Sequence, residues 1–380
     1  MQTYSIVIST QMGLEGLVGK EVRALGYHDA VVENGQVRLE ATIDAIPRLN
    51  LWLRTGDRVK IVIDEFRAVT FDELFEGTKA LPWENYLPAN AEFPVVGRTA
   101  KSQLYSVPDC QSIVKKAVVD RMASTYQTSW FQEDGPMFRI EVAIHKDDVT
   151  LTLDTSGNSL HKRGYRERHS EAPLKETLAA ALIQLTNWHP DRPFVDPFTG
   201  SGTLPIEAAL IGQNIAPGSF RSFASEAWDW IDNQLYNQAR EEAEDAADYD
   251  RKLSILGTDI DHQMVELATY NAEEIGLQDV VSFKQMQASD FQPKSEGGVI
   301  VGNPPYGERL SETKAVETLY RELGACYREL ETWSVYILTS HPRFEDLYGK
   351  EATKRRKLYN GRMETHYYQF WGKKPSKIKE

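Results

Sequence analysis

Residues 193–212 read Pro193-Phe194-Val195-Asp196-Pro197-Phe198-Thr199-Gly200-Ser201-Gly202-Thr203-Leu204-Pro205-Ile206-Glu207-Ala208-Ala209-Leu210-Ile211-Gly212. PFVDPF has the apolar character of a short buried strand, and TLPIEAALIG that of a helix. The loop between them carries two glycines. Glycine lets backbone approach a ligand closely, and a helix N-terminus favours a carboxylate or a phosphate. No Gly-Lys-Ser/Thr follows, so this is not a Walker loop, and the full dinucleotide spacing is missing. Alone, the loop is a weak signal, and a tight strand–helix turn is its plain reading.

The same alternation continues downstream. KLSILGTDID (252–261) predicts a second strand and QMVELATYNAEEIG (263–276) its helix. VVSFKQMQASD (280–290) predicts a third strand, GGVIVGNPPY (297–306) a fourth, and TKAVETLYRELGACYREL (313–330) a helix. WSVYILTS (333–340) gives a fifth strand, and two late strands follow near 353–358 and 366–371. Alternating strands and helices imply a mostly parallel, doubly wound sheet that binds ligands at the carboxyl ends of its strands.

Upstream the pattern differs. TYSIVIST is strand-like, LEGLVGKEVRALG is an amphipathic helix ending at Gly26, and DAVVENGQVRLEAT is a hairpin turning at Asn34-Gly35. DAIPRLNLWLR resumes helical spacing and RVKIVIDEFRA is again a strand, a β-α-β-β-α-β order that fits a small ferredoxin-like unit. A second α+β module runs from Phe71 to about Asp154. The basic, turn-rich connector SLHKRGYRERHSEAPLK then leads into a long helix, which places a boundary near residue 160. The expected domains are 1–68, 69–158 and 159–380.

Composition narrows the class. A chain of 380 residues, 41% hydrophobic, supports two or three domains with real cores. Cys110 and Cys326 lie far apart and suit neither a disulfide framework nor a zinc site, so a reducing cytoplasm is expected. His161, His169 and His366 have no metal spacing. No run approaches the roughly 18 apolar residues of a membrane span. A net charge of -13 argues against a generic nucleic-acid binder. Basic clusters at Lys162-Arg163 through Arg166 and Arg168, at 354–357 and in the final KKPSKIKE can still meet phosphate locally. The acidic run EEAEDAADYD reads as a solvated helix.

Asn303-Pro304-Pro305-Tyr306 carries the chemistry. An Asn side-chain oxygen and the Pro304 carbonyl are two acceptors for one exocyclic amine, and Tyr306 can stack on the ring that bears it. That set, without a strong base or metal ligand, suits methyl transfer to a nucleobase amine. Asp259 ends the second strand, where a carboxylate can accept from both hydroxyls of a ribose. Asp261 can do so too or cap the next helix, and Asp259 is preferred because it belongs to the strand end. Ile260 would then pack on an adenine face, and Asp290, ending the third strand, can accept from the adenine amine. Each acid alone is more simply a turn or cap residue. Trp228 and Trp230 either pack on the sheet or shape a target pocket, with packing preferred, and Cys326 reads as core.

HKRGYRERHSEAPLKETLAAAL, DPFTGSGTLPIEAAL, GTDID, NAEEIG and GNPPYGERL together resemble the THUMP-domain RNA guanine methyltransferases, a class I S-adenosylmethionine-dependent family. The likeness is closest to bacterial enzymes that methylate the exocyclic amine of a guanine in 23S ribosomal RNA. It implies an α/β fold: a Rossmann-like doubly wound methyltransferase domain preceded by α+β ferredoxin-like and THUMP modules. It implies S-adenosyl-L-methionine as cofactor, and RNA (23S rRNA or a ribosomal assembly intermediate) as partner, with no membrane and no metal. Asp196, Phe198, Gly200 and Gly202 match the donor loop, Asp259 the ribose acid, Asp290 the adenine-side acid, and Asn303, Pro304 and Tyr306 the catalytic loop. Pro173 and Leu174, within Ala172–Lys175, resemble an extra donor-contacting segment. The rival readings are a tRNA guanine-N2 methyltransferase, a DNA adenine-N6 methyltransferase and a non-catalytic RNA-binding assembly factor.

Overall fold

The computed structural model describes residues 2–128, 130–166, 174–307 and 310–374, without the side chains of 310–312. The chain forms two compact units. The first holds residues 1–10, 18–160 and 221–242, and the second holds 11–17, 161–220 and 243–380. Among the described residues no helix is long and apolar enough to cross a membrane.

The first unit is built on one seven-stranded sheet. Strands β1 (Tyr4–Ser9), β2 (Val31–Glu33), β3 (Gln36–Ala41) and β4 (Arg58–Arg67), with helices α1 (Glu15–Ala24) and α2 (Ala45–Trp52), form the ferredoxin-like part. Asn34-Gly35 turns the β2–β3 hairpin as expected, with Glu33 opposite Gln36 and Gly35 at φ +73°. α3 (Phe71–Lys79), β5 (Val95–Ala100), α4 (Val107–Tyr126), β6 (Arg139–His145) and β7 (Asp148–Asp154) follow. β7 pairs antiparallel with β4, so both modules share the sheet order β2-β3-β1-β4-β7-β6-β5.

The core of this unit contains a segment from far downstream. Trp228 is 1% exposed and stacks on Phe138 with ring centroids 4.6 Å apart, while its Nε1 donates to the Met137 carbonyl at 2.9 Å. Trp230 packs between Tyr4 and Tyr86. Both tryptophans are therefore packing residues. The acidic helix α7 (Asn233–Ala246) begins in this segment. It buries Tyr236, Ala239 and Ala243 and leaves Glu241, Glu242, Glu244 and Asp245 in solvent.

The second unit carries the doubly wound sheet. Its strands are β8 (Phe194–Asp196), β9 (Ile255–Asp259), β10 (Val281–Gln285), β11 (Val299–Gly302), β12 (Ser334–Thr339), β13 (Lys354–Asn360) and β14 (Met363–Phe370). Helices α5 (Glu176–Gln184), α6 (Thr203–Gly212), α8 (His262–Glu273), α9 (Leu310–Tyr327) and α10 (Phe344–Tyr348) belong to it. The order is β10-β9-β8-β11-β12-β14-β13, parallel through β12 and antiparallel at the last two. β8 and β11 are neighbours although two strands separate them in sequence. That is the switch point where an open α/β sheet leaves a crevice.

The connector before α5 corrects one expectation. Arg163 is 2% exposed and pairs with the buried Glu207 of α6, with Nε–Oε1 at 3.2 Å and Nη2–Oε2 at 3.3 Å. Tyr165 donates its hydroxyl to Glu207 at 3.1 Å. Arg166 pairs with Glu176 at 2.9 Å and donates to the Leu174 carbonyl and the Thr203 hydroxyl. These two arginines are internal braces rather than a surface for RNA. Arg168 lies outside the described residues, as does most of the final KKPSKIKE.

Candidate active site

A cleft of about 900 Å³ opens at the switch point. Asp196, Phe198 and Gly200 reach it from β8 and its loop, Asp259 and Ile260 from the end of β9, and Asn303, Pro304 and Tyr306 from the loop after β11. Leu174 also lines it, while Pro173 falls outside the described residues. Residues far apart between Asp196 and Tyr306 thus meet because parallel strands all end on one side.

The donor-side geometry is set by backbone. Asp259 accepts from the Gly200 amide at 2.9 Å on one oxygen and from the Asp261 amide at 3.0 Å on the other. A carboxylate has about four acceptor positions, so further ones are left for a diol. Asp261 itself caps α8, accepting from the Gln263 amide at 2.9 Å. Gly200, at φ +48°, has nothing within 4 Å of where a Cβ would stand, so its backbone faces open space. Gly202 serves differently. It is absent from the lining, sits at φ +87°, and a Cβ there would meet the Ala268 Cβ at 3.0 Å, so it lets α6 start close against α8.

Electrostatics mark Asp196. Its side chain is buried, with one oxygen accepting from the Phe198 amide at 3.0 Å. Burial holds its carboxyl well above the usual range, and the nearby Asp259 adds to this. A cationic amine in the cleft would favour its ionised form. Ile260, by contrast, is an apolar side chain 68% exposed on the cleft wall.

Asp290 is not brought into the cleft. β10 stops at Gln285 rather than running to residue 290, and Ala288–Asp290 form a 3-10 turn that leaves Asp290 exposed. Gln287 and Ala288 line the cleft in its place.

The target side is a braced loop. The Tyr306 hydroxyl donates to Asn303 Oδ1 at 2.5 Å, and Asn360 Nδ2 donates to the same hydroxyl at 3.3 Å. Tyr320 on α9, buried, donates to the Pro305 carbonyl at 2.8 Å and lies 2.8 Å from the Thr339 hydroxyl at the end of β12. Burial pushes the Tyr320 phenol up, so it stays a neutral anchor. Sequence reasoning missed Tyr320 and the Asn360-Gly361-Met363 wall. Asn-Gly is a hairpin signal, but nothing local says that this hairpin ends at the cleft.

Comparison with known proteins places this architecture. Residues 163–369 match the family model described as RMKL-like, methyltransferase domain, 68–154 match a THUMP domain, and 5–60 match the RlmL ferredoxin-like domain. The chain belongs to the RMKL-like methyltransferases. It is 56% identical over 375 residues to the Bacillus subtilis protein named "Putative RNA methyltransferase YpsC", covering 98% of this chain and 97% of that one. It is 35% identical over 378 residues to the ribosomal RNA large subunit methyltransferase K/L of Syntrophotalea carbinolica, covering 94% of this chain and 52% of that one. The chain thus spans about half the length of the K/L relative. Among solved structures it is similar to SMU.472, "a putative methyltransferase complexed with SAH", at 49% identity and a TM-score of 0.92 over 99% of this chain and all of that one. It is also similar to a Listeria monocytogenes protein described as "a predicted N6-adenine-specific DNA methylase", at 58% identity and a TM-score of 0.93 over 98% of this chain and 97% of that one.

The family is one of S-adenosylmethionine-dependent RNA methyltransferases, and S-adenosylmethionine is the cofactor. The cleft fits it. Asp259 offers fixed acceptors to a ribose, Ile260 an uncovered apolar face to a purine, and buried Asp196 a carboxyl to an ammonium. Thr199, buried in the lining, adds a hydroxyl with no hydrogen-bond partner among the described residues.

Proposed function

We propose that this chain methylates the exocyclic N2 of a guanine in RNA, foremost in 23S ribosomal RNA. The observation that carries the reading is one cleft lined both by the ribose acid Asp259 and by the acceptor loop Asn303–Tyr306. S-adenosylmethionine, when bound, supplies an electrophilic methyl on sulfur. The chain's residues prepare the amine. A guanine amine is a poor nucleophile because its lone pair is delocalised into the ring. Hydrogen bonds from its two protons to Asn303 Oδ1 and the Pro304 carbonyl favour a pyramidal nitrogen whose lone pair is available. Fixed dipoles then stabilise the positive charge that develops there, and alignment supplies much of the remainder.

A carbonyl oxygen has two lone pairs, so Asn303 Oδ1 can hold the Tyr306 hydroxyl and one amine proton together. The Tyr306 ring is thereby tethered where it can stack on an unstacked base. In this reading residues 1–68 and 69–158 hold RNA, and 159–380 carry the chemistry. Asp196, Phe198, Gly200, Asp259, Ile260 and Leu174 serve the donor, and Gly202 serves it through helix packing.

The same loop would accept an adenine amine, and the Listeria neighbour's description favours that second reading. Labelled methyl transfer to rRNA, tRNA and DNA, followed by nucleoside analysis, decides between them. N2-methylguanosine in large-subunit rRNA is expected. N6-methyladenine in DNA would keep the loop and discard the substrate.

A further inference from the structure

We propose that β13 and the turn after it grip the RNA strand beside the target nucleotide, with Arg362 on a phosphate at the cleft rim. Lys357 and Arg355 take phosphates further along, and Tyr359 offers a ring for a base. This rests on the reading that the substrate is RNA. Asn360, Gly361 and Met363 line the cleft, and Arg362 stands among them. It is exposed and has no ion pair or hydrogen bond among the described residues.

The strand extends this rim. Alternation puts Arg355, Lys357 and Tyr359 on one face of β13, opposite Tyr368, His366 and Glu364 of β14. Lys357 Nζ lies 5.5 Å from the centre of the Tyr359 ring. The present partners are the exposed Glu364 for Lys357 at 2.6 Å and, for Arg355 at 3.7 Å, the half-buried Glu345, which also accepts from the Ala352 amide. Surface pairs of this kind are weak and exchange readily for phosphate. Cations beside an aromatic ring are what a single strand needs, charge for its backbone and a face for a base. The other face of β13 is different in kind. Arg356 donates to the Gly13 carbonyl at 2.6 Å, Leu358 is buried and Asn360 turns into the cleft wall, which leaves Lys354 as the exposed cation of that face.

Lysines on an edge strand also guard against strand pairing, and that role makes no distinction between faces. The full-length protein separates the two roles. Methylation of 23S rRNA is measured across about 50–200 mM salt for wild type and for Arg362→Ala, Arg362→Lys, Lys357→Ala and Lys354→Ala. Calorimetric S-adenosylmethionine binding reports that each variant is folded. Arg362→Ala should raise KM for RNA about tenfold and lower the salt slope by about one. Arg362→Lys should recover most of both, Lys357→Ala should follow Arg362→Ala more weakly, and Lys354→Ala should stay near wild type. Wild-type KM and slope in Arg362→Ala and Lys357→Ala, with the wild type active on RNA, overturn the grip and leave the proposed activity standing. Equal losses in Lys354→Ala also overturn it, since they report a diffuse field. A wild type that methylates only DNA overturns both.

Discussion

Tyr306 is held from two sides, by Asn303 at 2.5 Å and Asn360 at 3.3 Å, and this separates what its ring and its hydroxyl do. Tyr306→Phe keeps the ring but releases both amides, so single-turnover methylation should slow about tenfold, while Tyr306→Ala should lose more. Asn303→Ala removes an acceptor used only as charge develops and should cost about a hundredfold or more in kcat, with donor affinity retained. Loss of donor affinity in step with kcat would remove Asn303 from the target side. Asp259→Ala should act in the opposite sense, weakening S-adenosylmethionine binding by about tenfold to a hundredfold, because hydrogen bonds to a charged group contribute about 1.5–3 kcal/mol. Unchanged calorimetric affinity would take the ribose away from Asp259. At this scale the sequence was legible where a strand end fixed the direction of a residue, as at Asp259 and Asn303. It was illegible at Asp290, because nothing in VVSFKQMQASD announces that pairing stops at Gln285.

The connector and helices α5 and α6 form a buried ionic network under the donor cleft. Arg163 and Tyr165 converge on Glu207, and Arg166 joins Glu176 to Leu174 and Thr203, both of which line the cleft. A string of basic residues reads from sequence as surface because the partners lie about 10 and 40 residues away, on other helices. Burial lifts the Glu176 carboxyl from an ordinary 4.5 to about 7, outweighing the attraction of Arg166. A folded carboxyl with a raised pKa holds its proton more tightly than the unfolded chain does. Its contribution to stability is complete below about pH 4.5 and is lost as pH rises to about 7. Glu176→Gln has no proton to lose. Its thermal midpoint should therefore gain on wild type between about pH 5 and pH 8, and a constant difference across that range would show that Glu176 does not titrate there.

At the scale of the whole molecule, periodicity yields modules but not their interleaving. The alternation of strands and helices and the Asn34-Gly35 hairpin were readable because each is a local pattern. Residues 221–242 were not assignable, because an aromatic-rich insertion says nothing of which apolar surface it covers. They complete the first unit, with Phe223, Trp228, Ile231, Tyr236 and Ala239 in its core. Asn50 Nδ2 lies 2.9 Å from the Thr155 hydroxyl, and Ser225, 2.7 Å from the Tyr236 hydroxyl, donates to the Thr155 carbonyl at 3.0 Å, so polar bonds join the same pieces. A fragment of residues 1–160 therefore keeps every strand of its sheet while exposing Phe138 and the neighbours of Trp228. Losing one buried tryptophan costs about 3–5 kcal/mol, against a total stability of about 5–15 kcal/mol for an ordinary domain. The fragment should show strand-rich far-ultraviolet dichroism without a cooperative thermal transition, and added peptide 221–242 should restore the transition. A sharp transition in the fragment alone would mean that the first unit folds without the insertion and that these aromatic contacts form on a finished surface.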